Sequence, residues 1–409
     1  MPTTLTQPRA EKVATHQRTC CSACGCNALE EVLDLPRLPL TGIFVSPQTR
    51  ADYPEFDQAL LRCTACGHGQ LRDSVDPIYL YQDTYTHRSS LSPISTRGND
   101  FFHRFIEDVA GDRHFESVAE VGCNDLYLLK KLQSRATHLT GFDPIWKDHQ
   151  PAEAGEIRVF GKYVEEITAE DLPERPDLVV SVHTLEHVDN PLESLRPIYA
   201  HARPGALFMI EIPSLDTLLT INRFDQVFHQ HLNYFSLASA QRMVECLGGE
   251  YLDHRFNYGY WLGTMMVAFR KPADGAKAST ITRAPVASAA DIRAQYARYR
   301  RQMSDLTAQL RHHLDRGVPA VGFGAAQMVP TLAYHMGTDL SELQAIVDDN
   351  PDKNGRTWPS IGTTIASSAE FNDLSGHAVL LTALDSARVL IPHLIQKNAR
   401  YLLVPNNPF

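Results

Sequence analysis

The chain has 409 residues, 43% of them hydrophobic, with 38 basic against 48 acidic side chains and a net charge of −10. That length allows two or three domains of ordinary globular composition. The acidic balance argues against nucleic acid or an anionic membrane as partner, while an anionic small molecule stays open, because a local Arg or a helix N-terminus can bind one.

Residues 1–18 read as a polar, frayed start without an apolar signal core, and no run of about 18 apolar residues follows that would span a bilayer. The first chemistry is Cys21-Ser-Ala-Cys24, repeated as Cys63-Thr-Ala-Cys66. Each pair can aim two thiolates at one ion from a single tight turn, and two such turns close the tetrahedral shell of structural Zn2+. The alternative is two redox or unpaired Cys-x-x-Cys motifs. Cys20, Cys26 and His68 lie nearby but fit the spacing less well. Six of the eight cysteines fall in this region, which suits a metal site in a reducing, cytoplasmic compartment better than a disulfide framework. Residues 19–75 thus form a small metal-dependent module.

Residues 76–115 read as a connector with a helix, including Tyr85, His87, Ser89 and Ser90. From 117 onward strands and helices alternate: strand 117–123, helix 126–133, strand 138–144, strand 177–188 and strand 206–213, with a further apolar stretch at 264–270. Such alternation predicts a parallel sheet with helices on both faces. The Ala-, Pro- and Ser-rich stretch 271–290 reads as a boundary. A long helix over roughly 290–315 and strands at 320–326, 343–355 and 377–384 make a second, smaller α/β unit. The expected division is 1–75, 76–275 and 285–409.

In the central unit, Glu120-Val-Gly122-Cys-Asn124-Asp125 turns a strand into a helix, where Gly lets a ligand approach the backbone. The next strand ends, about 20 residues on, in Asp143, which can accept hydrogen bonds from both ribose hydroxyls of an adenosine. Only one Gly of a G-x-G-x-x-G pattern is present, so no pyrophosphate needs cradling. That disfavours NAD and favours a phosphate-free nucleoside such as S-adenosyl-L-methionine. Gly122, Asn124, Asp125, Asp143 and, packed nearby, His183 are its candidate contacts. His183-Thr-Leu-Glu186-His187 follows the later motif strand and resembles the segment of class I methyltransferases that faces both donor and acceptor.

Taken with Phe224-Asp225-Gln226-Val-Phe228-His229-Gln230-His231, Gly322-Phe-Gly324 and Val347-Asp348-Asp349-Asn350, these motifs resemble the sugar C-methyltransferase family of deoxysugar and natural-product pathways over nearly the whole chain. The resemblance implies an α/β enzyme: a class I methyltransferase Rossmann-like sheet flanked by an N-terminal zinc module and a second C-terminal α/β domain that helps hold substrate. It implies C-methylation of a nucleotide-linked keto-deoxysugar, with His231 as the base and His187, His229 and Gln230 beside it. It places Tyr85, His87, Ser89, Ser90 and Phe228 on the substrate, with the chain working as a monomer or a homodimer.

This sequence departs from the family at several points. Tyr-His-Glu-His becomes Phe228-His229-Gln230-His231, the Tyr pair before Ser-Ser becomes Tyr85 and His87, Gly-Gly-Ser becomes Leu262-Gly263-Thr264, and a Lys becomes Gln327. A hydroxyl, a carboxylate and a cation are thereby lost, which gives weight to O- or N-methylation of a non-sugar intermediate. A catalytically silent binding protein is the third possibility, opposed by the retained Asn124, Asp125, Asp143 and His231. Arg97 and Arg223 are weaker candidates for phosphate or carboxylate contact, and Asp348-Asp349-Asn350 reads as turn chemistry before it reads as a metal site.

Overall fold

The computed structural model describes residues 15–50, 53–76, 80, 88–148, 152–154, 156–261, 263–273 and 281–405. Tyr85 and His87 lie outside the described residues.

At the N-terminus, strands Leu29–Leu38, Phe56–Cys63 and Gly69–Leu71 form an antiparallel meander. Its last edge is taken by Asn233–Tyr234, a strand from far along the chain. The segment expected to end at residue 75 is therefore stitched into the middle of the molecule.

The central sheet has eight strands, in the order Glu250–Asn257, Thr264–Arg270, Leu207–Pro213, Leu178–Val182, Phe115–Val121, Ala136–Phe142, Ile157–Phe160 and Ala152–Ala154. The five from Leu207–Pro213 to Ile157–Phe160 are parallel. Thr264–Arg270 runs antiparallel between Leu207–Pro213 and Glu250–Asn257, so the expected parallel sheet carries an antiparallel hairpin at one edge. The turn joining it to Glu250–Asn257 is too short for a crossover, so only a hairpin is possible. The strand order reverses between Phe115–Val121 and Leu178–Val182, and the crevice above their carboxyl ends is where such sheets bind ligands.

The C-terminal sheet has five parallel strands, in the order Ile365–Ser367, Ile346–Asp348, Ala320–Phe323, Ala378–Leu381 and Tyr401–Leu403. Before it runs the helix Ala289–Asp315, which has no Gly or Pro to interrupt it. Ser288 and Asp291 cap its start reciprocally. Ile292, Tyr299, Met303, Leu306 and Leu310 recur at three-, four- and seven-residue steps and form one buried face. That face joins a core shared with Val32, Leu35 and Leu38 of the N-terminal meander, Leu332 of the helix Val329–Met336, and Ile346 and Leu380 of the last sheet. One hydrophobic core thus binds three parts of the chain.

Candidate active site

The four sulfurs of Cys21, Cys24, Cys63 and Cys66 lie within 4.8 Å of one another, with Cys21–Cys66 at 3.6 Å and Cys24–Cys63 at 3.7 Å. A tetrahedron with Zn–S bonds of about 2.3 Å has edges of about 3.8 Å, so the residues fit the ion. Each pair is followed by a glycine in the left-handed region, Gly25 at φ 72 and Gly67 at φ 73, which turns the chain back so that Gly25 N–H and Gly67 N–H donate to the Cys21 and Cys63 carbonyls. Cys20 and Cys26 stand outside the cluster, and His68 Nε2 faces Ser22 Oγ at 3.1 Å instead.

At the head of the central sheet Gly122 has φ 80, and a Cβ there would sit 1.9 Å from Thr184 Oγ1. The loop is held by Gly122 N–H and Cys123 N–H, which both donate to the Phe142 carbonyl. Asp143 is half-buried. Its carboxylate accepts from Asn124 N–H at 2.9 Å and Ile145 N–H at 3.0 Å, leaving lone pairs for the two hydroxyls of a ribose. Asn124 Oδ1 accepts from Ser89 N–H at 3.1 Å, and Asp125 Oδ2 from Ser90 N–H at 3.0 Å. Ser89 and Ser90 therefore lie over the glycine loop and hold it. Behind the loop, burial pushes Glu120 up to about 8, so it sits there largely protonated at neutral pH. A side-chain-free glycine turn with an acid beside it is the cradle that an S-adenosylmethionine nucleoside needs.

Beside this cradle the segment after Leu178–Val182 brings four groups together. His183 Nδ1 lies 3.2 Å from Glu186 Oε1, and His187 Nε2 lies 3.9 Å from the same oxygen. His231 packs edge-on against His187, ring centroids 5.0 Å apart, and is covered by Phe228 at 4.2 Å. Trp261 meets His183 at 4.3 Å; it has room because residue 98 is glycine, whose Cβ would fall 2.1 Å from the indole. Burial alone would raise Glu186, yet His183 and then His187 hold its carboxyl down at about 2. Burial likewise opposes protonation of His183, but Glu186 outweighs it and the net shift is upward. At His231 burial, reinforced by His187, outweighs the pull of Glu186 and pushes it down to about 3.

Two residues expected in this cluster point elsewhere. Gln230 donates to the Thr41 carbonyl and accepts from Thr41 Oγ1, both at 2.7 Å, and His229 Nε2 donates to the Leu38 carbonyl at 2.9 Å. Both are buried against the N-terminal module and support the loop from behind. Only the Gln230 backbone reaches the cluster, its carbonyl accepting from His187 Nδ1 at 2.7 Å. Arg223 is buried in ion pairs with Asp225 at 2.8 Å and Asp385 at 3.0 Å, so its guanidinium is committed to tying the central unit to the C-terminal one. Sequence reasoning did not single out the network that sets the height of the loop. Arg18 donates to the Leu232 and Asp189 carbonyls at 2.6 Å, and Ser22 Oγ donates to Asn233 Oδ1 at 2.7 Å. Asn233 Nδ2 in turn donates to the Leu185 and Val188 carbonyls. The zinc knuckle thereby grips the segment that carries Glu186 and His187.

The reversing sheet, the glycine cradle and the polar cluster beside it define a class I S-adenosylmethionine-dependent methyltransferase. Family models match in three consecutive stretches: a zinc binding domain over residues 21–81, a methyltransferase domain over 95–254 and a C-methyltransferase C-terminal domain over 270–398. The chain belongs to the C-methyltransferase family built from these three parts. It is 25% identical over 356 residues to C-methyltransferase NovU of Streptomyces niveus, covering 83% of each chain. It is also 25% identical over 170 residues to a ubiquinone biosynthesis O-methyltransferase of Aeromonas salmonicida, covering 35% of this chain and 67% of that one. The solved N-methyltransferase NodS of Bradyrhizobium japonicum overlaps 44% of this chain and 98% of its own at 12% identity, with a TM-score of 0.34. No helix among the described residues is long and apolar enough to cross a membrane.

Proposed function

We propose that this enzyme methylates a carbon next to a carbonyl in a small cytoplasmic intermediate, a nucleotide-linked keto-deoxysugar being the acceptor class. The likeness to NovU along most of both chains supports carbon as the acceptor. The observation that carries the chemistry is the His183–Glu186 pair beside the Gly122 cradle.

Carbon is a poor nucleophile until a proton leaves it, so a base is required. His183 serves better than His231, the residue favoured by the motif. Its Nδ1 faces an ionised carboxylate that raises its basicity, and its Nε2 is buried without a partner. His231, held down at about 3, is a weak base at neutral pH and instead lines the acceptor side with His187 and Phe228. Gly122, Asn124, Asp125 and Asp143 seat the donor, and Ser89 and Ser90 close over them. Bound S-adenosylmethionine supplies the methyl group as a sulfonium, the S–C bond breaking to a neutral thioether as the new C–C bond forms. The proton taken from carbon ends on His183 Nε2, and Glu186 stabilises the imidazolium.

A second reading, O-methylation, is favoured by the Aeromonas relative and by the absence of any carboxylate or phenol from positions 230 and 228. Carbon-13 NMR of the product decides between them: the methyl signal is expected among C-methyl shifts, and an ether-like shift would sink the carbon reading. His183→Gln should lower kcat by about 100-fold or more with donor affinity kept. Turnover near wild type would place the base elsewhere.

A further inference from the structure

The polar cluster holds more donor atoms than proton transfer needs. One atom each from Glu186, His187 and His231 converges within 4.8 Å. Glu186 is 1% exposed, and its Oε2 has no hydrogen-bond partner. His231 Nδ1 and His183 Nε2 are likewise buried without hydrogen-bond partners. A buried carboxylate oxygen left bare is costly, and nothing on the neighbouring elements comes to meet it: His183 approaches the other oxygen, and Gln230 and His229 are turned toward the N-terminal module.

We propose that Glu186, His187 and His231 form a second metal site, separate from the four cysteines, that takes one divalent first-row transition ion. Two imidazoles and a carboxylate are the borderline-soft donor set that suits Zn2+, Co2+ or Mn2+ and leaves coordination positions open. Ligand atoms in a tetrahedral site with bonds of about 2.1 Å stand about 3.4 Å apart, and the three candidate atoms here already lie within 4.8 Å of one another. His187 is already steered by its Nδ1–H bond to the Gln230 carbonyl, the outer support that metal-bound imidazoles usually have. This explains the main-chain role of residue 230 after its side chain has turned away. The consequence for the reaction rests on the acceptor reading above: an acceptor carbonyl oxygen at an open position would be polarised, and its neighbouring C–H made acidic for His183. Binding of the ion does not depend on that reading.

The test is titration of the full-length protein, its thiolate zinc in place, with Co2+ followed by visible absorption and calorimetry. The expected result is one equivalent bound with weak d–d bands and no intense thiolate-to-metal band. Glu186→Gln and His231→Gln should each weaken binding at least tenfold, while Asp348→Asn, on the C-terminal sheet, should not. Zinc content and S-adenosylmethionine affinity report whether each variant is folded. No binding beyond the thiolate signature, or unchanged binding in both folded variants, overturns the site. Those results leave the methyltransferase reading intact, whereas failure of wild type to bind the donor while still binding Co2+ would break that reading and not this one.

Discussion

The molecule contains the same turn twice, with opposite outcomes. Each α/β sheet ends its first strand in a glycine of positive φ, Gly122 and Gly324, and its next strand in an acid, Asp143 and Asp348. At the central sheet the acid's hydrogen bonds come from backbone N–H groups, with the Arg88 charge acting on it from nearby, and it keeps acceptor capacity for a ligand. At the C-terminal sheet Asp348 Oδ2 accepts from Ala325 N–H at 2.7 Å and faces the Lys353 ammonium at 3.5 Å. Lys353 also donates to the Ala325 carbonyl at 2.9 Å and lies over the Phe44 ring of the N-terminal module. A lysine pairs with this acid and reaches the N-terminal module, so the turn becomes a joint between domains. Topology supplies a crevice; the side chains decide whether it is a site or a seam.

Substitution at matched positions tests this contrast most sharply. Gly122→Ala places a Cβ against Thr184 in a left-handed backbone and should abolish donor binding. Asp143→Ala removes two hydrogen bonds to a charged acceptor, about 3 kcal/mol together or roughly 100-fold in donor affinity. Asp348→Ala should leave that affinity within about twofold. Calorimetry with S-adenosylmethionine reads all three. Equal losses at Asp143 and Asp348 would mean that the donor bridges both sheets and that the contrast is wrong.

Lys353→Met is the intermediate case. It leaves Asp348 without its cation and should lower stability by about 1–2 kcal/mol in urea unfolding, with one equivalent of donor still bound. A second equivalent of adenosine appearing in this variant would show that the lysine alone separates the two turns.

The donor turn was legible in the sequence because its parts are local: a glycine at a strand end and an acid at the next strand end, joined by one helix. The cysteine pairs were legible for the same reason. The sidedness of 228–231 was not. Read as a strand, His229 and His231 share a face; in the structure His231 N–H bonds back to the Phe228 carbonyl, and this turn sends the two rings apart. What fixes the turn is contact with Leu38 and Thr41, 191 and 189 residues away, and no local pattern encodes that. The pairing of His183 with Glu186 was within reach, since both stand three residues apart after a motif strand. The charged strand Glu250–Asn257 escaped because its partly exposed residues lack an apolar alternation.

The contrast between the two halves extends to their buried histidines, where the expected effect is absent at neutral pH and grows with acid. His183 has a carboxylate beside it and is shifted up; His335, in the C-terminal helix Val329–Met336, is packed among Tyr296, Tyr299 and Tyr334. Burial, reinforced by Arg300, pushes His335 down to about 3 from an unfolded value of 6.5. Between those values the unfolded chain binds a proton that the folded chain refuses, so the contribution is intact above pH 6.5 and is lost as pH falls. From pH 7 to 5 the loss from this one group is about 2 kcal/mol. His335→Phe fills nearly the same space without a titrating group, so its stability should fall less steeply with acid than that of wild type while differing little at pH 7. Urea unfolding of both proteins at pH 7, 6 and 5 measures the difference, and parallel curves would show that His335 already finds a proton-accepting partner in its aromatic cage.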